Sequence, residues 1–192
     1  MLNTFKMKLN MQKVITDYSE IAKLATLYRQ SGQKIVLTQG SFDMIHIGHC
    51  RYLAKAKTYG DVLFVGIDSD EKIKKRKGPE RPVVPEDERT EMLTYLSSVD
   101  HVVIKPLVAP KWQLIKLIKP DVLIAVENTY SNQEIEALEK FCGQVVVLKR
   151  QATTSTSAKL RRLQIGFAQN FSQTLTTKIH QSIDEVLEQL KK

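Results

Sequence analysis

Five short apolar runs limit what this chain can fold into. They read I-V-L-T-Q (Ile35–Gln39), D-V-L-F-V-G-I-D-S-D (Asp61–Asp70), H-V-V-I-K (His101–Lys105), D-V-L-I-A-V-E (Asp121–Glu127) and Q-V-V-V-L (Gln144–Leu148). Each is short, rich in β-branched residues and apolar without strict alternation, as strands covered on both faces are. Helical segments separate them: about 48–59, closed by Gly60; 86–96; 112–118, stopped by Pro120; and one opened by a capping box of Ser131 and Glu134 that ends near Phe141. This β-α alternation predicts an α/β fold, a Rossmann-like five-stranded parallel sheet with helices on both faces. Residues 72–85, with the run K-I-K-K-R-K-G-P-E-R, are expected as a basic loop.

Two further helices flank that unit. Ile21, Leu24, Ala25 and Leu27 give an extra N-terminal helix from Asp17 to Arg29, while residues 1–14 look uncommitted. Past Leu163, the positions Leu175, Ile179, Ile183, Val186, Leu187 and Leu190 recur at helical spacing and predict a C-terminal amphipathic helix. Its apolar stripe must be covered either by its own domain or by a partner subunit, in which case the protein is a homodimer. The expected division is 1–33, an N-terminal extension with a helix; 34–163, the α/β domain; and 164–192, a C-terminal helical extension.

Charge narrows the partners. With 29 Lys and Arg against 21 Asp and Glu the chain carries +8, which favours anionic ligands. Nucleic acid is a poor fit, because the basic run 72–81 lacks aromatic stacking platforms and no zinc-finger, basic-zipper or RNA-binding motif occurs. No apolar run approaches 18 residues and the start lacks a signal-peptide pattern, so no membrane partner and a cytoplasmic location are expected. Cys50 and Cys142 cannot build a disulfide framework. His101 and His180 are too scattered to complete a zinc site with the other histidines, so no metal-ligating residue is named.

In an open parallel sheet, ligands collect beyond the C-terminal strand ends. After the first run come Gly40 and Ser41, and then His46-Ile47-Gly48-His49 at the start of a helix. The glycine spacing is wrong for a dinucleotide fingerprint, and there is no P-loop. Two histidines three apart share one side of the chain as it enters the helix, Gly48 lets a ligand approach the backbone, and the helix start supplies N–H groups for phosphate. The imidazoles could donate hydrogen bonds to phosphoryl oxygens as charge accumulates there. Two satisfied turn histidines with no catalytic part are the plain alternative.

G-S-F-D-M-I-H-I-G-H-C-R-Y-L (Gly40–Leu53) resembles the first signature of the HxGH nucleotidylyltransferases, and K-R-Q-A-T-T-S-T-S-A-K-L (Lys149–Leu160) resembles their second, a Ser/Thr-rich turn opening a late helix. Lys77–Arg89 resembles the corresponding segment of the heptose 1-phosphate adenylyltransferases. The resemblance covers about residues 34–163. It implies transfer of a nucleotidyl group, AMP from ATP, to a phosphorylated small molecule such as a sugar 1-phosphate, with Mg²⁺ and release of pyrophosphate. A cytidylyltransferase using CTP and glycerol 3-phosphate, and a non-catalytic nucleotide binder, are the alternatives. By this resemblance His46, His49, Lys74 and Arg150 are the catalytic candidates. Gly40, Ser41, Phe42, Asp43, Gly48, Arg89, Ser155, Thr156 and Ser157 are candidates for the nucleotide site. Ala125–Tyr130 departs from the K-G-G-D-Y-like stretch of the heptose enzymes, keeping only Tyr130, which leaves the acceptor open.

Overall fold

The computed structural model describes residues 13–151 and 156–190, the latter with side chains at 162–168 and 170–183 and by backbone alone elsewhere. The chain divides after Thr153 into an α/β unit and a helical unit. In the first, the element order is β1 (Val14–Ile15), α1 (Tyr18–Gln30), β2 (Ile35–Gly40), α2 (Ile47–Lys57), β3 (Val62–Asp68), α3 (Asp70–Lys77), α4 (Glu86–Thr94), β4 (His101–Lys105), α5 (Gln113–Ile118), β5 (Val122–Val126), α6 (Asn132–Leu138) and β6 (Gln144–Leu148). All strands run parallel in the order β1-β4-β3-β2-β5-β6. The five expected strands are all present as a parallel sheet. A sixth, two-residue strand at Val14–Ile15 adds an edge beside Val102 and Val103.

The apolar runs fill two cores, one on each face. Ile35, Leu37, Phe64, Val103 and Leu123 pack toward α1, α5 and α6. Val36, Leu63, Val65, Val102 and Ile124 pack toward α2 and α4. Every residue of β3 is buried, which is why its sequence shows no polar alternation. A Cβ at Gly66 would lie 2.7 Å from the Leu114 side chain of α5, which would have to shift to make room for it.

Two expectations need correction. Residues 70–77 are helical rather than loop: Ser69 caps the first turn by accepting from the Lys72 N–H at 3.3 Å, Asp70 and Glu71 occupy the first turn, and four cations fill the last turn. Those charges complement the helix dipole at both ends, so a dense basic run is no barrier to a helix. Leu27 is 58% exposed rather than core-facing, because the buried stripe of α1 passes through Ile21, Ala25 and Tyr28.

The helical unit contains α7, Thr156–Leu190. Among the described residues no helix is long and apolar enough to cross a membrane.

Candidate active site

Strand order reverses at β2, whose neighbours β3 and β5 lead the chain away in opposite directions. The crevice outside the C-terminal end of such a strand is where an open α/β sheet leaves room for a ligand. Here the chain leaves β2 through Gly40 and makes a tight loop, with Phe42 and Met44 at φ of 48° and 52°. Left-handed conformations at such bulky residues cost on the order of 1–3 kcal/mol each and persist only where surrounding contacts impose them. Phe42 is buried, and its ring packs against Gly40 so closely that a Cβ there would sit 3.0 Å away. The same ring meets His49 edge-on, with centroids 5.5 Å apart.

The two histidines are locked by the start of α2. His46 is its N-cap, and its Nδ1 accepts the Gly48 N–H at 3.0 Å. His49, three residues on, accepts the His46 N–H on its own Nδ1 at 3.4 Å, completing a reciprocal capping box in which imidazoles replace the usual hydroxyl and carboxylate. An imidazole whose Nδ1 accepts must, when neutral, carry its proton on Nε2. The helix start therefore fixes both tautomers as Nε2 donors, with ring centroids 4.1 Å apart. Gly48 is buried between them.

Asp43 and Arg89 hold the loops around this point. The Asp43 carboxylate accepts from Arg81 Nε at 2.7 Å and from the Val83 and Val84 N–H groups at 3.1 Å, fastening the 81–84 segment to the β2 loop. Arg89 is 0% exposed. Its guanidinium donates to the carbonyls of Val84, Ser41 and Asp68 and to the Asp70 carboxylate at 2.6–3.0 Å. That geometry braces loops and offers no surface to a phosphate. Ser41 Oγ accepts from Arg76 Nη2 at 2.8 Å.

Of the lysines in α3, Lys74 and Lys77 are both exposed, Lys74 in mid-helix and Lys77 at its end. Lys77 lies among Arg76, Arg81, Asp43 and Asp68; burial of its stem and the two guanidinium groups lower its pKa, opposed by the carboxylates. Ile73 is the buried residue of α3, and Arg76 and Lys77, three and four beyond it, lie on its side of the helix although both are exposed. Helical phase would have favoured Lys77 over Lys74 had the helix been recognised. Arg150 is exposed, two residues past β6. Ser155 lies outside the described residues, and of Thr156 and Ser157 only the helical backbone is described.

Beside the β2 end lies a cavity of about 460 Å³ that sequence reasoning did not assemble, apart from Gly40 and Tyr130. Gln39, Gly40, Asp68 and Lys105 from three strand ends form its floor, and Tyr18, Trp112 and Tyr130 contribute aromatic walls. Four cations, Lys72, Arg76, Lys105 and Lys111, line it against one carboxylate, Asp68. Asp68 is itself buried, 2.8 Å from Arg76 Nη2 and 3.0 Å from Lys105 Nζ. Burial lowers the Lys105 pKa and the Asp68 charge opposes that shift. Burial, with Glu134 and Asp68 nearby, pushes Tyr130 up to about 12, so its hydroxyl remains a donor at neutral pH. The residues converge from segments up to 112 positions apart (130 − 18), which no local pattern reveals.

Comparison with known proteins is consistent with this arrangement. The sequence profile of the cytidylyltransferase-like family matches residues 37–181. The bifunctional protein HldE of Aliarcobacter butzleri is 39% identical over 157 residues, which are 82% of this chain and 32% of that protein. The HldE of a Nitratiruptor species is 43% identical over 152 residues, 78% of this chain and again 32% of the relative. The chain thus spans about a third of the length of these curated relatives. Among solved structures, a lipopolysaccharide core biosynthesis protein from Thermoplasma volcanium superposes with a TM-score of 0.51 at 25% identity, covering 62% of this chain and 97% of that one. Pantoate-beta-alanine ligase from Francisella tularensis, at 17% identity and a TM-score of 0.55 over 75% of this chain and 68% of its own, shares the fold.

Proposed function

The chain belongs to the cytidylyltransferase-like family, and from that premise we propose that it is a nucleotidylyltransferase. It transfers AMP from ATP to a phosphorylated small molecule, a sugar phosphate, and releases pyrophosphate. The observation that carries this reading is the imidazole capping box, which sets two histidines side by side at a helix start favourable to phosphate and leaves the Nε2 proton to each neutral ring.

In the reaction an acceptor phosphate oxygen attacks the α-phosphorus in line. The new P–O bond forms as the α–β bridging P–O bond breaks, and the electron pair leaves with pyrophosphate. The attacking phosphate is already anionic, so no general base is required. His46 and His49 donate from Nε2 to the phosphoryl oxygens as charge builds on them, and Lys77 adds a cation from the end of α3. Arg150 is placed by this reading at the triphosphate, with Ser155, Thr156 and Ser157 completing the nucleotide site. Phe42 and Asp43 keep the histidine-bearing loop in place, and Arg89 acts as a positioning residue. The cationic, aromatic-walled cavity receives the acceptor: Lys105 and Arg76 suit a phosphate, and Trp112 and Tyr130 suit a flat polar-and-apolar face such as a sugar ring presents.

Magnesium enters as part of the substrate, the complex of the ion with the triphosphate. Among the described residues no group of three or more His, Cys, Asp or Glu could hold a metal. Asp68 and Asp70 lie in ion pairs with Arg76, Lys105 and Arg89. These side chains do not fit a protein-held metal centre.

The sugar-phosphate reading is supported by the likeness to the Thermoplasma volcanium lipopolysaccharide core biosynthesis protein and by the resemblance of Lys77–Arg89 to the heptose enzymes. A second reading, CTP with glycerol 3-phosphate, is favoured by the loss of the lysine and glycines of the heptose enzymes at Ala125–Tyr130. Pyrophosphate release separates the two. The purified protein is given the magnesium complexes of ATP and CTP with sugar 1-phosphates or glycerol 3-phosphate. Release with ATP and a sugar phosphate is the expected outcome, and release with CTP and glycerol 3-phosphate supports the second reading. A folded protein that binds nucleotide yet releases nothing with any acceptor would overturn transfer.

A further inference from the structure

Two loops wall the cavity beside the β2 end: residues 106–113, leading from β4 into α5, and residues 127–131, leading from β5 into α6. Each holds a non-glycine residue in the left-handed region, Trp112 at φ 62° and Asn128 at φ 64°. Asparagine tolerates that conformation, but a tryptophan stays in it only where contacts impose it. The Trp112 side chain makes no cap bond to α5 and instead forms cavity wall.

The imposing contact comes from Lys111 and Glu134. The Lys111 ammonium lies 4.5 Å from the centre of the Trp112 ring and 2.9 Å from Glu134 Oε1. The other oxygen of that carboxylate, Oε2, accepts the Ser131 N–H at 3.1 Å, and Ser131 Oγ accepts the Glu134 N–H at 3.2 Å. One carboxylate thus places one oxygen on each loop. Among the described residues, no other hydrogen bond or ion pair joins 106–113 to 127–134. Tyr130 directly precedes Ser131, so the same group fixes the chain beside both aromatic walls.

Folding needs little of this. The Glu134 side chain is 35% exposed and that of Lys111 68%, and ion pairs so open to water contribute little to stability. Glutamine would serve the capping box of α6 as well as glutamate does. Only Lys111 requires a negative charge there.

We propose that Glu134 is a positioning residue for the acceptor, clasping the two cavity loops through Lys111 and Ser131 and so holding the spacing of Trp112 and Tyr130. This rests on the reading of the cavity as the acceptor site. His46 and His49 belong to neither loop, so the effect falls on the acceptor and not on the nucleotide.

Trp112 is the chain's one tryptophan, and its emission therefore reports on this wall alone. The test titrates the full chain with glucose 1-phosphate, without nucleotide, against sodium chloride of matched ionic strength. A saturable change in emission is expected. E134Q should raise the apparent dissociation constant at least about fivefold at an unchanged melting temperature. K111M should do the same, and E134Q/K111M should exceed the weaker-binding single variant by no more than about twofold, because the two side chains act as one unit. In steady state, with the sugar 1-phosphate that supports pyrophosphate release, E134Q should raise the KM of that acceptor and leave kcat and the KM of ATP unchanged, a split that loss of fold does not produce. An emission indifferent to glucose 1-phosphate overturns the proposal. So does an E134Q dissociation constant equal to or below that of the parent, or full additivity in the double variant. Binding that follows the expected pattern with no pyrophosphate released from any triphosphate overturns transfer and leaves the clasp standing.

Discussion

At the N-terminal edge of the sheet, Asp61, Asp100 and Asp121 each accept a backbone N–H, from Lys34, Leu63 and Ile35, at 2.6–2.7 Å. At the opposite edge, Asp68 faces Arg76 and Lys105, Asp70 faces Arg89, and Asp43 faces Arg81. The residue type is the same, but the balance of partners differs: main-chain N–H groups lead at the first edge, where Lys57 also meets Asp100, and side-chain cations lead at the second, where Asp43 also accepts from the Val83 and Val84 N–H groups. A main-chain N–H at a strand start has nowhere else to go, and a carboxylate bound to it fixes the strand. A side-chain cation can exchange one anion for another, so Arg76 and Lys105 can turn to a phosphate while a carboxylate holds them ready. One edge is built to stay closed; at the other, the Asp68 pairs with Arg76 and Lys105 line a cavity where a ligand can share them, while Arg89 stays buried.

Substitutions at the two edges should therefore fail in different ways. The largest effect is expected at His46. H46N keeps a side-chain acceptor that can cap α2 but removes the Nε2 donor, so kcat should fall by about 10²-fold or more with the melting temperature nearly unchanged. Normal turnover would remove the histidines from the mechanism. Next, K77A should lower kcat/KM at least about tenfold more than K74A does. The reverse ranking, in steady-state kinetics, would restore Lys74 to the site. The smallest effect on rate is expected from the closed edge. D100A leaves the Leu63 N–H without its acceptor and removes the ion pair with Lys57, which keeps the Asp61 carbonyl, and should cost about 1–3 kcal/mol, a drop of roughly 3–10 °C in melting temperature. The kcat of the folded enzyme should stay the same. A loss of kcat without a loss of stability would erase the distinction between the edges.

The strands could be read from sequence because burial on both faces leaves an unbroken apolar run, as at Val62–Ile67. His46 and His49 could be read because both lie within one short motif. Residues 70–77 were misread as a loop since six Lys and Arg within 72–81 mask a helix whose signal is one capping serine and one buried isoleucine, Ile73. With the helix went its phase, which sets Lys77 nearer than Lys74 to the side of Ile73. The two-residue β1 carries too little sequence to announce itself, its pairing with β4 coming from a strand almost ninety residues away. Tyr18, Lys105 and Trp112 were invisible for the same reason: each is unremarkable in its own segment, and only strand order brings them to one cavity.

The fully buried guanidinium of Arg89 has a consequence for how this protein can be altered. It ties Ser41, Asp68, Asp70 and Val84, which lie on the connections after β2 and β3 and ahead of α4, to one planar group. Those connections cannot be exchanged one at a time, because any graft that shifts one carbonyl unseats the others. The segments 106–113 and 127–130 are outside its reach. Under the proposed reading, loop changes that retune the acceptor are tolerated in the second pair, where they leave every Arg89 bond in place, and not in the first.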